Sequence, residues 1–441
     1  MATTTTPSGA CPAGACVTLD ATHPIGPVTH AGSGINQGVE PSINDAADLR
    51  ALATTMYRSA PPLRPDGSYN WTNWDIASST GAQTTLVLSD MWTLTDSNGY
   101  RVTPWSNWSE YASWVRSTTA NILASGRTVD YWDVYNEPGW HNYYSPADFA
   151  AETPDDLLQQ FLVAYQAIKS VDPTAAIIGP SIGLWALHPL PPNTLTHEPD
   201  LTTFLDFAAA HGLQLAAVTW HDNGQTLADL NADFITTWAL VRSLPGLGQP
   251  KMFLDEYGTP GNQPIPGWDV GYLAAITDAG ISSASRSCWE TCDAPDLDGL
   301  LTDNGQSTTS EYYIGLTYAQ MSGQMVATSS SNNTMQALGS IDSSKRQMVA
   351  LVGRAVAPSA SNPAPPTSVR VNLVVPWNSP RVNVALSYEP SQPGAAVSGP
   401  IRTSPSNLTT QPDGAGNELV SFSIPNFADG AAYNVVATPS Q

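Results

Sequence analysis

From about residue 32 to 325, short apolar runs alternate with longer stretches in which apolar side chains recur every three or four positions. The short runs predict strands at GSGIN (32–36), TTMYRSA (54–60), TTLVLSD (84–90), VDYWDVYNEP (129–138), AAIIGPS (175–181), AAVTWHD (216–222), KMFLDEYG (251–258) and SSASRSCWE (282–290). Most are continuously apolar, as parallel strands are when helices cover them. Between them, PDDLLQQFLVAYQAIKSV opens on acidic residues, carries Leu157, Leu158, Phe161, Leu162, Tyr165 and Ile168 at helical spacing, and stops before Asp172-Pro173. Eight such units predict an α/β fold, a (β/α)8 TIM barrel over 32–325. A doubly wound open sheet is the rival. It calls for a glycine-rich phosphate loop opening a helix after the first strand, and GSGINQG lacks that spacing.

Past residue 326 the period changes to two. TMQALGSID, RQMVALVGR, SVRVNLVV, PRVNVALSYEP, ELVSFSIPNF and AYNVVATP alternate between turn-rich segments and predict an accessory antiparallel β-sandwich over 326–441. APSASNPAPP (357–366) reads as a loop within it. Residues 1–31 contain ACVTLDATHP, a strand-like stretch expected to join that sandwich at its edge.

The 441 residues exceed one ordinary core, in keeping with a barrel plus a second unit. Charged residues make up only 12% and are unbalanced, 38 Asp and Glu against 16 Lys and Arg, for a net charge of −22. An acidic surface repels phosphate backbones, so nucleic acid is not an expected partner. No apolar run reaches the roughly 18 residues of a membrane span, so no membrane partner is expected. The 14 Trp and 16 Tyr supply flat rings that stack on sugars or fill cores. Four cysteines fall in two close pairs, Cys11/Cys16 and Cys288/Cys292. Neither pair has CxxC spacing and no histidine follows at finger spacing, so disulfides Cys11–Cys16 and Cys288–Cys292 are preferred to a zinc site. MATTTTPSGA lacks the basic and apolar regions of a signal peptide and reads as the mature start of a secreted protein.

In a barrel, functional residues sit at the C-terminal ends of strands. Asn36, Arg58, Asp90, Asn136, Glu137, His221, Asp222, Asp255, Glu256 and Glu290 fall there. Glu137 ends the fourth strand and Glu256 the seventh, and those strands face one another across the mouth. Pro138 ends ladder pairing and predicts an extended Glu137. Asp255 competes with Glu256, but neighbours on a strand point to opposite faces, and Glu256 leads into the rim turn Tyr257-Gly258. Two facing carboxylates suit glycoside hydrolysis, one as nucleophile and one as proton donor.

YNEPGW and FLDEYG resemble the acid/base and nucleophile motifs of clan A glycoside hydrolases, the 4/7 superfamily, over residues 32–325. The barrel with a sandwich drawn from both ends of the chain, and ALGSID…RQMVALVGR, resemble family 39 in particular. That family holds β-xylosidases, α-L-iduronidases and arabinose-releasing enzymes. The resemblance implies a retaining mechanism without a cofactor or metal, with Glu137 as acid/base, Glu256 as nucleophile, and an oligosaccharide or polysaccharide as partner. Asn136 would bind the sugar 2-hydroxyl, Arg58 would keep Glu256 ionised, and His221 would line the pocket. Trp289 would floor the site and Trp140 would line the leaving-group side. Asn36 is a further binding candidate, and Tyr257 is the candidate partner of the nucleophile. Few cations on the strands favour a neutral pentose, xylose or arabinose, over iduronide. An endo-acting glycanase and a non-catalytic carbohydrate-binding barrel are the alternatives.

Overall fold

The computed structural model describes residues 15–40, 45–138, 144–183, 197–222, 227–259, 261–288, 296–356, 362–413 and 416–440. After β1 (Ala15–Pro27), eight strands close a barrel: β2 (Gly34–Asn36), β3 (Met56–Ser59), β4 (Gln83–Val87), β5 (Tyr131–Asp133), β6 (Ile177–Ile182), β7 (Ala217–Asp222), β8 (Lys251–Tyr257) and β9 (Ser283–Arg286). Neighbours pair in parallel and in chain order, and β2 closes onto β9. The expected TIM barrel is therefore present. Its helices are α1 (Asp45–Ala51), α2 (Thr72–Ser78), α3 (Leu88–Met91), α4 (Trp108–Ala124), α5 (Pro146–Ala151), α6 (Pro154–Val171), α7 (Leu201–Ala210), α8 (Leu227–Ser243), α9 (Pro266–Ala279) and α10 (Ser310–Gln320). Local sequence sets their limits. α6 begins with Pro154 at its first position beneath a capping box of Thr153 and Asp156. α9 ends on Gly280 in the left-handed region, at φ 71°. No described helix is long and apolar enough to cross a membrane.

The barrel interior is layered. Met56, Tyr131, Ile178, Ala217 and Phe253 form an apolar floor. Two residues further along four of these strands stand Arg58, Asp133, Thr219 and Asp255, all buried. Period-two alternation carries both sets inward.

A hairpin of β10 (Leu301–Thr302) and β11 (Ser307–Thr308) precedes α10. Beyond it lie β12 (Gln324–Ser330), β13 (Met335–Asp342), β14 (Gln347–Arg354), β15 (Thr367–Val375), β16 (Arg381–Glu389), β17 (Ile401–Thr409), β18 (Gln411–Pro412), β19 (Glu418–Phe427) and β20 (Ala432–Pro439). They and β1 form one ten-stranded sheet in the order β17-β16-β20-β14-β13-β12-β1-β15-β19-β18. Apolar residues from both halves of the sheet share one core, including Val17, Leu19, Val371, Leu373, Val382 and Phe427. The N-terminal strand is not at an edge as expected. It lies inside the sheet, antiparallel to β12 and parallel to β15. α9 and α10 bury Val270, Leu273, Ile314 and Tyr318 against Leu338, Val349 and Leu351 of this sheet. The approach is close enough that a Cβ on Gly267 would collide with the Arg354 carbonyl oxygen.

Candidate active site

Above the polar layer, at the C-terminal mouth, stand Glu137, His221 and Glu256. One ligand-type atom of each lies within 4.8 Å of those of the other two. His221 Nδ1 is 3.2 Å from Glu137 Oε1 and 3.6 Å from Glu256 Oε2. The imidazole is wholly buried, whereas Glu137 keeps 25% of its side-chain exposure and Glu256 13%, so both carboxylates reach the opening. Burial alone would lower the proton affinity of His221. The charge of Glu256 and the hydrogen bond and charge of Glu137 outweigh it and push the imidazole up to about 9. Among the described residues this trio is the group of acidic and histidine side chains compact enough to surround a metal ion. Arg58, a fixed cation, already donates to Glu256 Oε1 at 3.1 Å, so a second cation held by that carboxylate would meet its charge.

Glu256 is gripped from below. Asn36 Nδ2 donates to Glu256 Oε1 at 2.9 Å and Arg58 Nη1 donates to the same oxygen at 3.1 Å. Arg58 also donates from Nη2 to Asn136 Oδ1 at 3.0 Å and from Nε to Asp133 Oδ2 at 2.9 Å. A buried guanidinium with five donors suits this branching role. Desolvation opposes its charge, but Asp133, Asp255 and Glu256 more than compensate and hold it firmly protonated. The backbone N–H of Asn36 donates to Asp298 Oδ2 at 2.6 Å, which fixes Asn36 in turn.

Two local expectations fail for identifiable reasons. Glu137 is not extended but sits at φ 48°, in the left-handed region. Its N–H donates to the Ser181 carbonyl at 3.0 Å, and Ser181 is itself at φ 50°. This tertiary bond overrides the preference of a residue before proline. Alternation, in turn, does not separate Asp255 from Glu256. Trp220 pairs with Leu254 but His221 with Glu256, so β8 carries one extra residue there. Asp255 follows Phe253 inward, and the bulge swings Glu256 to the mouth as well.

Tyr257 is a third departure. It is buried and its hydroxyl donates to the Gly32 carbonyl at 2.7 Å, on the outer side of the barrel wall. The donors to the Glu256 carboxylate are Asn36 and Arg58 instead. Trp140, Trp289 and Glu290 lie outside the described residues. Cys16 and Cys288 are not free thiols, while Cys11 and Cys292 lie outside the described residues. Sequence reasoning did not single out Asp133, Ser181 or Asp298. The available signal was a carboxylate inside an apolar strand, as in YWDVY, since buried charge persists only with partners.

No protein-family model matches the chain, and no curated protein matches it. Solved structures do match in fold. The structure of N2152 from Neocallimastix frontalis superposes with a TM-score of 0.77 at 18% identity, covering 97% of this chain and 100% of that one. A glucosidase from Croceicoccus marinus gives 0.64 at 14% identity, covering 97% and 99%. A GH39 β-xylosidase from Caulobacter crescentus gives 0.60 at 14% identity, covering 96% and 100%. The chain thus resembles clan A glycoside hydrolases of the family 39 type in its whole architecture, barrel and β-sheet unit together.

Proposed function

We propose that the protein is a retaining O-glycosidase that uses Glu256 as nucleophile and Glu137 as acid/base. One observation carries the reading: the two carboxylates stand across the barrel mouth with oxygens inside 4.8 Å. Retaining enzymes place the pair at about 5–5.5 Å, whereas inverting enzymes leave about 6.5–9.5 Å for a water. Glu256, held by Asn36 and Arg58 through Oε1, attacks the anomeric carbon through Oε2. Glu137 gives its proton to the departing oxygen as the carbon–oxygen bond breaks. Esterification removes the charge of Glu256, so Glu137 can then take a proton from water. That water attacks the same carbon, releases Glu256 and restores the configuration. His221, 3.6 Å from Glu256 and 3.2 Å from Glu137, stabilises the charge on Glu256 before the attack and the charge on Glu137 once it has given up its proton. Asn136, oriented by Arg58 through its Oδ1, faces the sugar 2-hydroxyl.

The substrate is a plant-type oligosaccharide or polysaccharide from which a neutral pentose, xylose or arabinose, is released. The two arginines on barrel strands support a neutral sugar, because both are already committed. Arg58 meets Asp133 at 2.9 Å and Arg286 meets Asp269 at 2.7 Å. The likeness to a β-xylosidase is in keeping with this. The protein acts outside the cell, with Cys11–Cys16 and Cys288–Cys292 closed as disulfides, and Trp289 and Trp140 lining the sugar.

A panel of nitrophenyl pentosides and hexosides tests the reading, run with Glu256→Ala and Glu137→Ala. Cleavage of a pentoside, loss of activity in Glu256→Ala and its rescue by azide are expected. A wild-type protein inert on the panel and on arabinoxylan, yet able to bind it, would make this a binding barrel.

A further inference from the structure

Beneath the two glutamates lies a buried cluster that the reaction itself does not use. Ser181 Oγ is 2.6 Å from Asp133 Oδ1, 2.7 Å from Asp255 Oδ2 and 2.8 Å from Thr219 Oγ1. All four residues are buried. Three contacts this short need three hydrogens, because oxygen lone pairs do not approach one another so closely. The two hydroxyls supply one each. Thr219 Oγ1 already accepts the Ser181 N–H at 2.9 Å and is left to donate to Ser181 Oγ. Ser181 Oγ donates to one aspartate, and the third hydrogen must come from the other. From this hydrogen count we infer that Asp133 and Asp255 hold one proton between them through Ser181, as a positioning device for both Glu256 and Glu137.

The links to the site are direct. Asp133 Oδ2 receives Nε and Nη2 of Arg58, both at 2.9 Å, and Arg58 reaches Glu256. The Ser181 carbonyl receives the Glu137 N–H and so holds its left-handed backbone. Asp255 is bonded to Glu256 across the bulge. With one proton on the pair, Arg58 faces a single anion below and Glu256 above. With none, it would face two anions below, and the Ser181 bridge would lose a hydrogen. Burial together with the charge of Asp255 raises the proton affinity of Asp133, against the pull of Arg58, in keeping with a retained proton. The other charged groups around the cluster are Asp90, on the helical turn after β4, with Glu137 and His221 above.

The inference rests on the glycosidase reading for its consequence but not for its first test. Infrared difference spectra of the full chain, wild type minus variant, read protonated carboxyl groups directly. At neutral pH the band of one protonated carboxyl is expected to vanish in Asp255→Asn and also in Asp133→Asn, since the proton belongs to the pair. If neither substitution removes a band, the inference is overturned even if no glycoside is ever cleaved. The kinetic arm separates positioning from mere folding. Asp255→Ala is expected to lose about tenfold or more in kcat with little change in KM, as one buried charge-assisted bond is lost. Asp255→Asn, whose amide supplies the missing hydrogen, is expected to recover most of that loss and to lack one ionisation on the alkaline limb. An asparagine variant as impaired as the alanine, with the wild-type pH profile, would overturn the positioning role.

Discussion

His221 couples the stability of the fold to the charge of its active site, and the size of the coupling can be worked out. Its proton affinity rises from an ordinary 6.5 to about 9 in the folded protein because Glu256 and Glu137 stand at the wholly buried ring. Each factor of ten is worth about 1.4 kcal/mol, so the protonated ring contributes about 3 kcal/mol to folding. The sign follows from the direction of the shift. That contribution is fully present below about pH 6.5, where the ring is protonated in both states, and it is lost as pH rises through about 9. Urea unfolding of wild type and His221→Phe across this range isolates the effect, because the other buried acids titrate in both proteins. Wild-type stability is expected to fall by about 3 kcal/mol more than that of the variant between about pH 6.5 and pH 9. Parallel curves would refute a protonated imidazole between the carboxylates.

Other consequences follow from the same contacts. Arg58→Ala leaves the buried Asp133 without its cation and Glu256 with one donor fewer, and is expected to cost about 3–5 kcal/mol in unfolding free energy. Arg58→Lys should not restore activity, because one ammonium cannot span Asp133, Asn136 and Glu256. In the sheet unit, burial raises Glu389 to about 8, against the Asn434 hydrogen bond and with the charge of Glu311 adding. The folded protein keeps that proton after the unfolded chain has lost it, so stability falls as pH rises from about 4.5 to about 8. Glu389→Gln should therefore gain in Tm over wild type as pH rises through that window. Gly267→Ala forces α9 away from β14 and is expected to cost about 1–3 kcal/mol, read as a lower Tm.

The barrel was legible because strands covered on both sides cannot hide: KMFLDE and YWDVY are apolar wherever the wall demands it. Glu137 and Glu256 were legible for the same reason, as carboxylates where apolar runs stop. What escaped the reading depends on partners distant in sequence. The bulge at Asp255 shows only in its pairing with β7. The left-handed Glu137 depends on a carbonyl some forty residues away, at Ser181, and a local rule about proline cannot weigh that bond. Tyr257 looked like a pocket residue by position, but its hydroxyl found the Gly32 carbonyl behind the wall. β1 looked like an edge strand because its alternation says which face is buried and nothing about how many neighbours it has.

The place of β1 has a bearing on how this chain comes into being. Val17–Asp20 pairs with Ala327–Ser330 on one side and Ala15–Asp20 with Val369–Val374 on the other, so a strand made early waits for partners made some three hundred residues later. During synthesis the barrel sequence emerges while β1 waits with both edges unpaired. Its docking then closes a loop of some three hundred residues, which ties both ends of the chain into one sheet. A chain shortened to begin at residue 32 would leave β12 and β15 facing an empty slot, each with an exposed row of backbone donors and acceptors. Such a slot invites a strand from another molecule, so the first symptom of losing these thirty-one residues would be self-association.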